Sequence, residues 1–215
     1  MKVLENKIFI LGITGGTASG KTTIVSELSA CFPSSELCVI SQDSYYKKTD
    51  DLTYKEKINL NFDHPEAIDF DLLIAQLQDL KNNKSIEQPV YSFTEHNRTT
   101  EKQIVAPKKI IIVEGILIFN DKRLLDLFDL KIFIHADADE RLIRRIHRDG
   151  KERGRNVNEV TKRYRVTLKP MHNLFIEPFK KSADFVFDST NSKNNISEEL
   201  AHIIQDRLEK TNETN

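Results

Sequence analysis

One stretch of the chain, Gly15-Gly-Thr-Ala-Ser-Gly-Lys-Thr22, has the residue types and spacing of a phosphate-binding loop. It matches GxxxxGKS/T, follows an apolar segment and leads into a helical pattern, a context that disfavours a chance match. Glycines let backbone N–H groups surround an anion, and the next helix adds its positive N-terminal end. Lys21 would meet the outer phosphates, and the Thr22 hydroxyl suits Mg²⁺. The predicted phosphate-binding residues are Gly15, Gly16, Thr17, Ala18, Ser19, Gly20, Lys21 and Thr22.

Two carboxylates follow other apolar segments and are candidates for the chemistry. Asp43 ends the run Ile40-Ser-Gln-Asp, and Glu114 ends Ile112-Val-Glu. Ligands of open α/β sheets bind at the carboxyl ends of the strands. Glu114 is placed to organise a metal, and Asp43 is placed to accept a proton from an attacking hydroxyl. The alternative for either acid is a helix cap or a solvated turn residue.

Most of the arginines lie between Arg141 and Arg165. Arg141, Arg144, Arg145 and Arg148 share one helical sector, and a basic loop bracketed by glycines follows at 150–155. We expect a lid at about 149–165 that brings guanidinium groups to a transferring phosphoryl group. A solvated charged face with acidic partners is the alternative.

The elements that must position these residues alternate between apolar β-branched runs and amphipathic runs, which predicts an α/β fold with a central five-stranded parallel sheet. The predicted strands are Lys7–Ile13, Leu37–Ser41, Lys109–Val113, Lys131–His135 and Asp184–Phe187. The predicted helices are Lys21–Cys31, Pro65–Lys81, Ala138–Asp149, Val157–Thr167 and Ser197–Lys210. A β-hairpin insertion is expected at about 85–106, over a ligand, and a loose tail at about 209–215.

Length, composition and charge exclude several classes of protein. The 215 residues suit one domain, 1–215, and 32 Lys and Arg against 33 Asp and Glu leave a net charge of −1, so nucleic acid is not an expected partner. No apolar run is long enough for a membrane span, and we expect a cytoplasmic protein. Cys31 and Cys38 lack metal-ligand spacing. His64, His147, His172 and His202 are expected to be packing or surface residues.

These pieces together resemble the uridine kinase (uridine–cytidine kinase) family of P-loop nucleoside kinases, over about residues 7–188. The strings that carry the resemblance are GGTASGKTT, SQDSYY, NFDHPEAID, EQPVYSFTEHNR, VEGILIF, DADERLIRRIHRD, ERGR and KPMHNLFIEP. The resemblance implies a three-layer P-loop kinase fold. It also implies transfer of a phosphoryl group from ATP or GTP, with Mg²⁺, to the ribose 5′-hydroxyl of uridine or cytidine, and a homotetramer.

The resemblance also assigns roles to residues. It implies Asp43 as general base, with Lys21, Arg148 and Arg153 as further catalytic residues. Arg153 and Arg155 would contact ATP, and the metal would be held by Thr22 and Glu114. The implied nucleoside-binding residues are Tyr46, Phe62, Asp63, Tyr91, Phe93, His96, Arg145 and Arg155. Aromatic walls with one His and one phenol suit an uncharged pyrimidine, although ordinary hairpin packing is the alternative for Tyr91, Phe93 and His96.

The chain departs from the family pattern at several positions. Arg163 stands where the family usually has Gln, Ser92 where Asp is usual, His135 where an acid is common, and Thr17-Ala18 where Ser-Gly is frequent. Arg163 puts sugar recognition in question. Rival interpretations are a phosphoribulokinase-like or pantothenate kinase-like enzyme, a P-loop switch, and an RNA-binding protein that uses the Arg-rich segment. A guanine-reading NKxD string is missing, and the basic segment lacks aromatic interleaving.

Overall fold

The computed structural model describes residues 8–190 and 195–213, apart from the side chains of Arg153 and of residues 211–213. The strands are β1 (Phe9–Gly15), β2 (Leu37–Ser41), β3 (Ile86–Ser92), β4 (Asn97–Val105), β5 (Ile110–Glu114), β6 (Leu130–His135) and β7 (Phe185–Asp188). Five of them form a parallel sheet in the order β2-β5-β1-β6-β7. Strands β3 and β4 pair separately as an antiparallel hairpin.

Eight helices connect the strands of the described chain, together with short 3₁₀ and π segments. They are α1 (Lys21–Ala30), α2 (Tyr54–Lys57), α3 (Phe70–Lys81), α4 (Lys122–Leu125), α5 (Ala138–Arg153), α6 (Val157–Arg163), α7 (Lys169–Phe175) and α8 (Ile196–Glu213). The 3₁₀ turn Gln42–Tyr45 follows β2 directly and contains Asp43. The expected α/β fold with a five-stranded parallel sheet and a β-hairpin is confirmed.

The sheet is covered on both faces, because alternate residues of each strand point to opposite sides. Leu11 and Ile13 pack with apolar residues of α1 and α8 in one buried cluster. Ile10 packs on the other side with α3, the base of the hairpin and the rings of Tyr45 and Tyr46. The second cluster therefore attaches the hairpin and the turn after β2 to the same side of the sheet.

The single helix predicted at Pro65–Lys81 is wrong. Pro65–Ala67 is a 3₁₀ turn, Ile68 is extended, and α3 begins only at Phe70. Ile68 forms an isolated bridge with Tyr46, and the Asp69 side chain accepts a hydrogen bond from the N–H of Leu72 as the cap of α3. Asp is a preferred N-cap residue because its carboxylate satisfies a free N–H of the first turn.

The expected basic loop at 150–155 is also wrong over most of its length. Helix α5 continues through Gly150 to Arg153 and ends at Gly154, whose φ of +62° is the left-handed conformation common at helix ends. The helix predicted at Val157–Thr167 ends at Arg163 and passes through the π segment Tyr164–Leu168 into α7, which was not predicted.

The termini differ from expectation as well. Strand β1 extends to Gly15, whereas Lys7, the predicted first residue, is outside the described residues. Helix α8 continues to Glu213, so the tail expected to be loose from about 209 is helical up to that residue. Among the described residues, none of the helices combines the length and the apolar character that a membrane span requires.

Candidate active site

The phosphate-binding loop connects β1 to α1 through backbone conformations that favour glycine. Gly15 has a φ of +150° and Gly20 one of +87°, and a Cβ on Gly15 would lie 2.2 Å from the carbonyl oxygen of Ile134. Ala18 adopts a φ of +59° in spite of its side chain. The loop is thus pressed against β6, with its N–H groups at the start of α1.

Lys21 is folded back into this loop. Its Nζ donates hydrogen bonds to the carbonyl oxygens of Gly15 at 2.9 Å and Gly16 at 3.0 Å. Burial lowers the pKa of Lys21 to about 8, although Glu114 and Asp43 act in the opposite direction. The ammonium group is therefore mostly charged at neutral pH and lies near both candidate carboxylates. Ser19 Oγ, fully buried in the loop, has no partner within the described part of the chain.

The loop is supported by Ser189, which the sequence did not single out, and by the buried side chains of Arg141 and His172. Ser189 Oγ donates to the carbonyl oxygens of Ser19 at 2.6 Å and His135 at 3.0 Å. Arg141, expected in the basic sector, and His172, expected to be a packing or surface residue, are buried beneath Gly16, where a Cβ would lie 2.8 Å from Arg141 Nη1 and 3.0 Å from His172 Cε1. Burial, and then the nearby Arg141, lowers the pKa of His172 to about 4, so the imidazole is neutral.

The two candidate carboxylates lie at the ends of neighbouring strands. Strands β2 and β5 pair with Ser41 opposite Glu114, and Ser41 Oγ donates to Glu114 Oε1 at 2.6 Å. Burial, and then the charge of Glu114, raises the pKa of Asp43 to about 6, against the opposing effect of Lys21 and a hydrogen bond from Tyr46. Asp43 is thus an acid with a pKa close to neutrality, a property suited to a general base.

The aromatic residues expected at the acceptor site do come together. Ring centroids of Tyr46 and Phe62 are 5.1 Å apart, and those of Tyr46 and Tyr91 are 5.0 Å apart. Phe62 stacks on His96 at 5.6 Å. Phe93 contacts Tyr91 at 5.3 Å but is 57% exposed, so it lies at the margin of the group. Tyr46 joins this aromatic cluster to Asp43.

Asp63 lies near the aromatic ring of Tyr46, and Arg145 contacts the loop. The charge of Asp63 influences the pKa values of Asp43, Tyr46 and Arg145, which places it near all three. Arg145 Nη1 donates to Thr17 Oγ1 at 2.6 Å, so the structure brings an arginine expected at the nucleoside to the phosphate loop. Burial lowers the pKa of His96, and Arg163 and Arg155 lower it further.

Three arginines of the basic segment bind one buried carboxylate, an acidic partner of the kind that the alternative interpretation of this segment expects. Asp149, whose side chain is 1% exposed, pairs with Arg145 at 3.4 Å, Arg148 at 3.1 Å and Arg155 at 3.3 Å. Arg148 also lies near enough to Lys21 to lower its pKa. The Arg153 side chain, predicted to be catalytic, is outside the described residues. The sequence signal for Asp149 was its position directly after Arg148 in a basic helix.

Comparison with known proteins identifies the family of the chain. Residues 10–197 match the family model described as "Phosphoribulokinase / Uridine kinase family". The chain belongs to this family. It is 48% identical over 182 residues to the uridine kinase of Ligilactobacillus salivarius, covering 85% of each chain. It is 46% identical over 177 residues to that of Bacillus subtilis, covering 82% of this chain and 85% of the relative. The resemblance drawn from the motifs is confirmed.

Solved structures of low sequence identity share the fold. Phosphoribulokinase from Rhodobacter spheroides superposes with a TM-score of 0.63 at 17% identity, covering 88% of this chain and 74% of the other. D-glycerate 3-kinase from Cryptococcus neoformans gives a TM-score of 0.59 at 15% identity, covering 85% and 86%. At these identities the likeness concerns the fold alone, that of P-loop kinases.

The family implies a magnesium ion, and the oxygen atoms at the loop fit one. Thr22 is exposed on the first turn of α1, and Glu114 and Asp43 lie on the adjoining strand ends. Among the described residues, no group of three or more His, Cys, Asp or Glu could hold a metal without help. Mg²⁺ does not require such a group, because it keeps several waters and binds one or two carboxylates together with substrate phosphates.

Proposed function

We propose that this family member is a uridine kinase, which transfers the γ-phosphoryl group of ATP or GTP to the 5′-hydroxyl of uridine or cytidine. One observation carries the proposal: the Asp43 carboxyl lies between Lys21 of the phosphate loop and the aromatic cluster around Tyr46. A phosphate donor and a planar acceptor would therefore meet at a carboxylate. The names of the relatives, both uridine kinases, support the same acceptor.

In this proposal the triphosphate binds the N–H groups of residues 15–22. Lys21 exchanges its bonds to the carbonyl oxygens of Gly15 and Gly16 for bonds to the outer phosphates, because a charged acceptor binds an ammonium group more strongly than a neutral carbonyl does. Thr22 and Glu114 would hold Mg²⁺, which when bound neutralises phosphate charge and orients the donor.

The nucleoside base would stack within the cluster of Tyr46, Phe62, Tyr91 and His96, with Phe93 at its margin. Asp63 would accept hydrogen bonds from the ribose hydroxyls, beside Arg145. Asp43 would then receive the 5′-hydroxyl proton while it orients that oxygen toward the phosphate. Its raised pKa allows it to bind the proton transiently without being neutral at pH 7.

The lid would complete the site. Arg148 and Arg155 now bind Asp149, and we propose that they, with Arg153, turn to the phosphates when a nucleotide binds. Planar guanidinium donors stabilise the charge that spreads over the transferring group and help to exclude water. We also propose one kinase domain with a hairpin insertion and a lid at about 149–165, assembled as a homotetramer.

A phosphoribulokinase-like activity is the second candidate, because the family model includes both enzymes. Its acceptor carries a phosphate, for which stacked aromatic rings offer no charge complement, whereas the rings suit the π-face of a pyrimidine. The deciding experiment measures ADP release from MgATP with uridine, cytidine, ribulose 5-phosphate and pantothenate in turn. Release with the two nucleosides alone supports the proposal, and release with ribulose 5-phosphate but not with uridine overturns it.

A further inference from the structure

Arg98, on hairpin strand β4, is a buried cation without an assigned role. Its side chain is 8% exposed, and Nη2 donates to the backbone oxygen of Tyr45 and to Oδ2 of Asp69, each at 3.1 Å. A guanidinium group withdrawn from water in this way needs strong acceptors, since an unpaired buried charge is costly. Arg98 therefore fastens the hairpin to two segments outside it.

One acceptor belongs to the turn that carries Asp43, and the other belongs to Asp69, a residue that is bonded to that turn. Tyr45 is the last residue of the 3₁₀ turn Gln42–Tyr45, and its carbonyl oxygen also accepts the N–H of Asp69 at 2.8 Å. Asp69 in turn caps α3. The position of the turn is thus fixed jointly by the start of α3 and by Arg98.

The neighbouring residues of the hairpin continue the same attachment. Asn97 Oδ1 accepts the N–H of Thr49 at 2.9 Å, and Asn97 Nδ2 donates to Asp50 at 2.6 Å. The Thr49 hydroxyl donates to the backbone oxygen of His96 at 3.0 Å, and His96 itself adopts a φ of +49°. A strained conformation of this kind persists only where surrounding contacts hold it. One such contact to His96, the bond from Thr49, comes from the segment that follows the turn of Asp43.

We propose that Arg98 is a positioning residue that couples nucleoside recognition by the hairpin to the placement of Asp43. The coupling has two connections. In the first, the Arg98 side chain bonds to the backbone oxygen of Tyr45. In the second, the ring of Tyr91 lies 5.0 Å from that of Tyr46, and Tyr46 is hydrogen-bonded to Asp43. Binding of the base would fix the position of the hairpin, and through these contacts it would also fix the position of the Asp43 carboxylate. This inference rests on the proposed function, because it takes the hairpin as the base-binding element.

Arg98→Met tests the coupling, because it keeps the length of the side chain and removes its charge and donors. We expect the KM for uridine to rise at least tenfold and kcat to fall at least tenfold, with the KM for MgATP within twofold of wild type. The matched control is Lys102→Met, an exposed cation on the same strand that pairs with Glu87, which is expected to change each constant less than twofold. Arg98→Lys, which keeps the charge, is expected to recover part of both losses.

Asp69→Asn gives an independent measurement if Arg98→Met does not fold. Asn still caps α3 but lacks the charge that pairs with Arg98. We therefore expect a higher KM for uridine, a lower kcat and an unchanged KM for MgATP, with smaller changes than in Arg98→Met. The double variant should lose less than the sum of the single losses, because both remove one interaction.

The outcomes separate the coupling from the proposed function. If the wild-type protein does not phosphorylate uridine, the proposed function fails. If it does, and Arg98→Met or Asp69→Asn retains wild-type kcat and KM for uridine, the coupling is wrong. A loss that affects MgATP and uridine equally would also overturn it, since general loosening of the fold would have that effect.

Discussion

Gln42 and Gly115 are in direct contact, and a Cβ on Gly115 would lie 2.4 Å from the Cβ of Gln42. Gln42 is fully buried, and its Oε1 accepts the N–H of Leu117 at 2.7 Å. Asp43 follows Gln42 in the chain, and Glu114 precedes Gly115. The contact between Gln42 and Gly115, with the bond between Ser41 and Glu114, therefore sets the separation of the two carboxylates.

Gly115→Ala is expected to force these two strand ends apart. Overpacking of a filled interior costs about 1–3 kcal/mol of unfolding free energy, and kcat should fall at least tenfold because Asp43 moves relative to Glu114. Urea unfolding and steady-state kinetics measure the two effects. For the stability measurement the control is Gly150→Ala in helix α5, where the new Cβ would lie 3.7 Å from the carbonyl oxygen of Arg155, an ordinary contact distance. This change should stabilise the protein by about 0.5–1 kcal/mol. Unchanged kcat in Gly115→Ala would show that the contact does not position the carboxylates.

Asp43→Asn should remove the general base while leaving the nucleotide site in place. We expect kcat to fall by about 10²–10⁴, with the KM for MgATP within twofold of wild type. Asp71→Asn, at an exposed carboxylate, is the matched control and should retain wild-type kcat. A variant Asp43→Asn that turns over uridine at the normal rate would exclude this residue as the base.

The raised pKa of Asp43 predicts a pH dependence of the wild-type enzyme. Below about pH 6 the carboxyl is protonated and cannot accept the hydroxyl proton, so kcat/KM for uridine should rise with pH through an apparent pKa of about 6. Asp43→Asn should lack this limb of the profile. If wild-type kcat/KM is flat between pH 5 and pH 7, a different group accepts the proton.

The fold class and the strands of the sheet could be predicted from residue patterns, whereas the ends of several helices could not. Continuous apolar runs such as Ile110–Val113 predict strands buried on both faces, and the structure has them. Gly150 suggested a loop, but helix α5 passes through it because buried Asp149 binds arginines before and after it. Ile68 suggested a helix, but its bridge to Tyr46 holds it extended. The bridge is a tertiary contact and the Asp149 pairs are specific side-chain contacts, and helix propensity contains neither.

Some residues of the candidate site could likewise be predicted from the sequence, and others could not. Motif residues such as Lys21, Asp43 and Tyr91 could be chosen from type and position alone, because the chemistry requires those types at strand ends and on the hairpin. Gln42 and Arg98 could not, since their importance depends on which distant backbone groups their side chains reach. Arg98 Nη2 bonds to a carbonyl oxygen 53 positions away in the chain. Such a partner becomes visible only when the fold is known.

Asp43 should also destabilise the fold at neutral and alkaline pH. Its pKa is about 6 in the folded protein and 3.8 ordinarily, so the unfolded state ionises more easily and folding stability falls as pH rises from about 4 to 6. Two pKa units correspond to about 3 kcal/mol, and partial exposure of Asp43 reduces the expected cost to about 1–3 kcal/mol. Asp43→Asn should therefore unfold at a higher temperature than wild type at pH 8, with little difference at pH 4. The opposite pH order would contradict the raised pKa.

Ala18 makes the phosphate loop a site of local strain, which a glycine should relieve. A left-handed conformation costs a residue with a Cβ about 1–2 kcal/mol, and Ala18 has a φ of +59°. Glycine also raises the entropy of the unfolded state, which offsets about 0.4–1 kcal/mol of that gain. The net effect of Ala18→Gly should be a stabilisation of roughly 0.5–1 kcal/mol, or about 1–4 °C in Tm. The KM for MgATP should stay within twofold, because Lys21 and the two end glycines of the loop are unchanged. Ala75→Gly, at an exposed position inside helix α3, is the matched control and should lose about 0.5–1 kcal/mol. If both substitutions lower Tm equally, Ala18 is not strained in the folded protein.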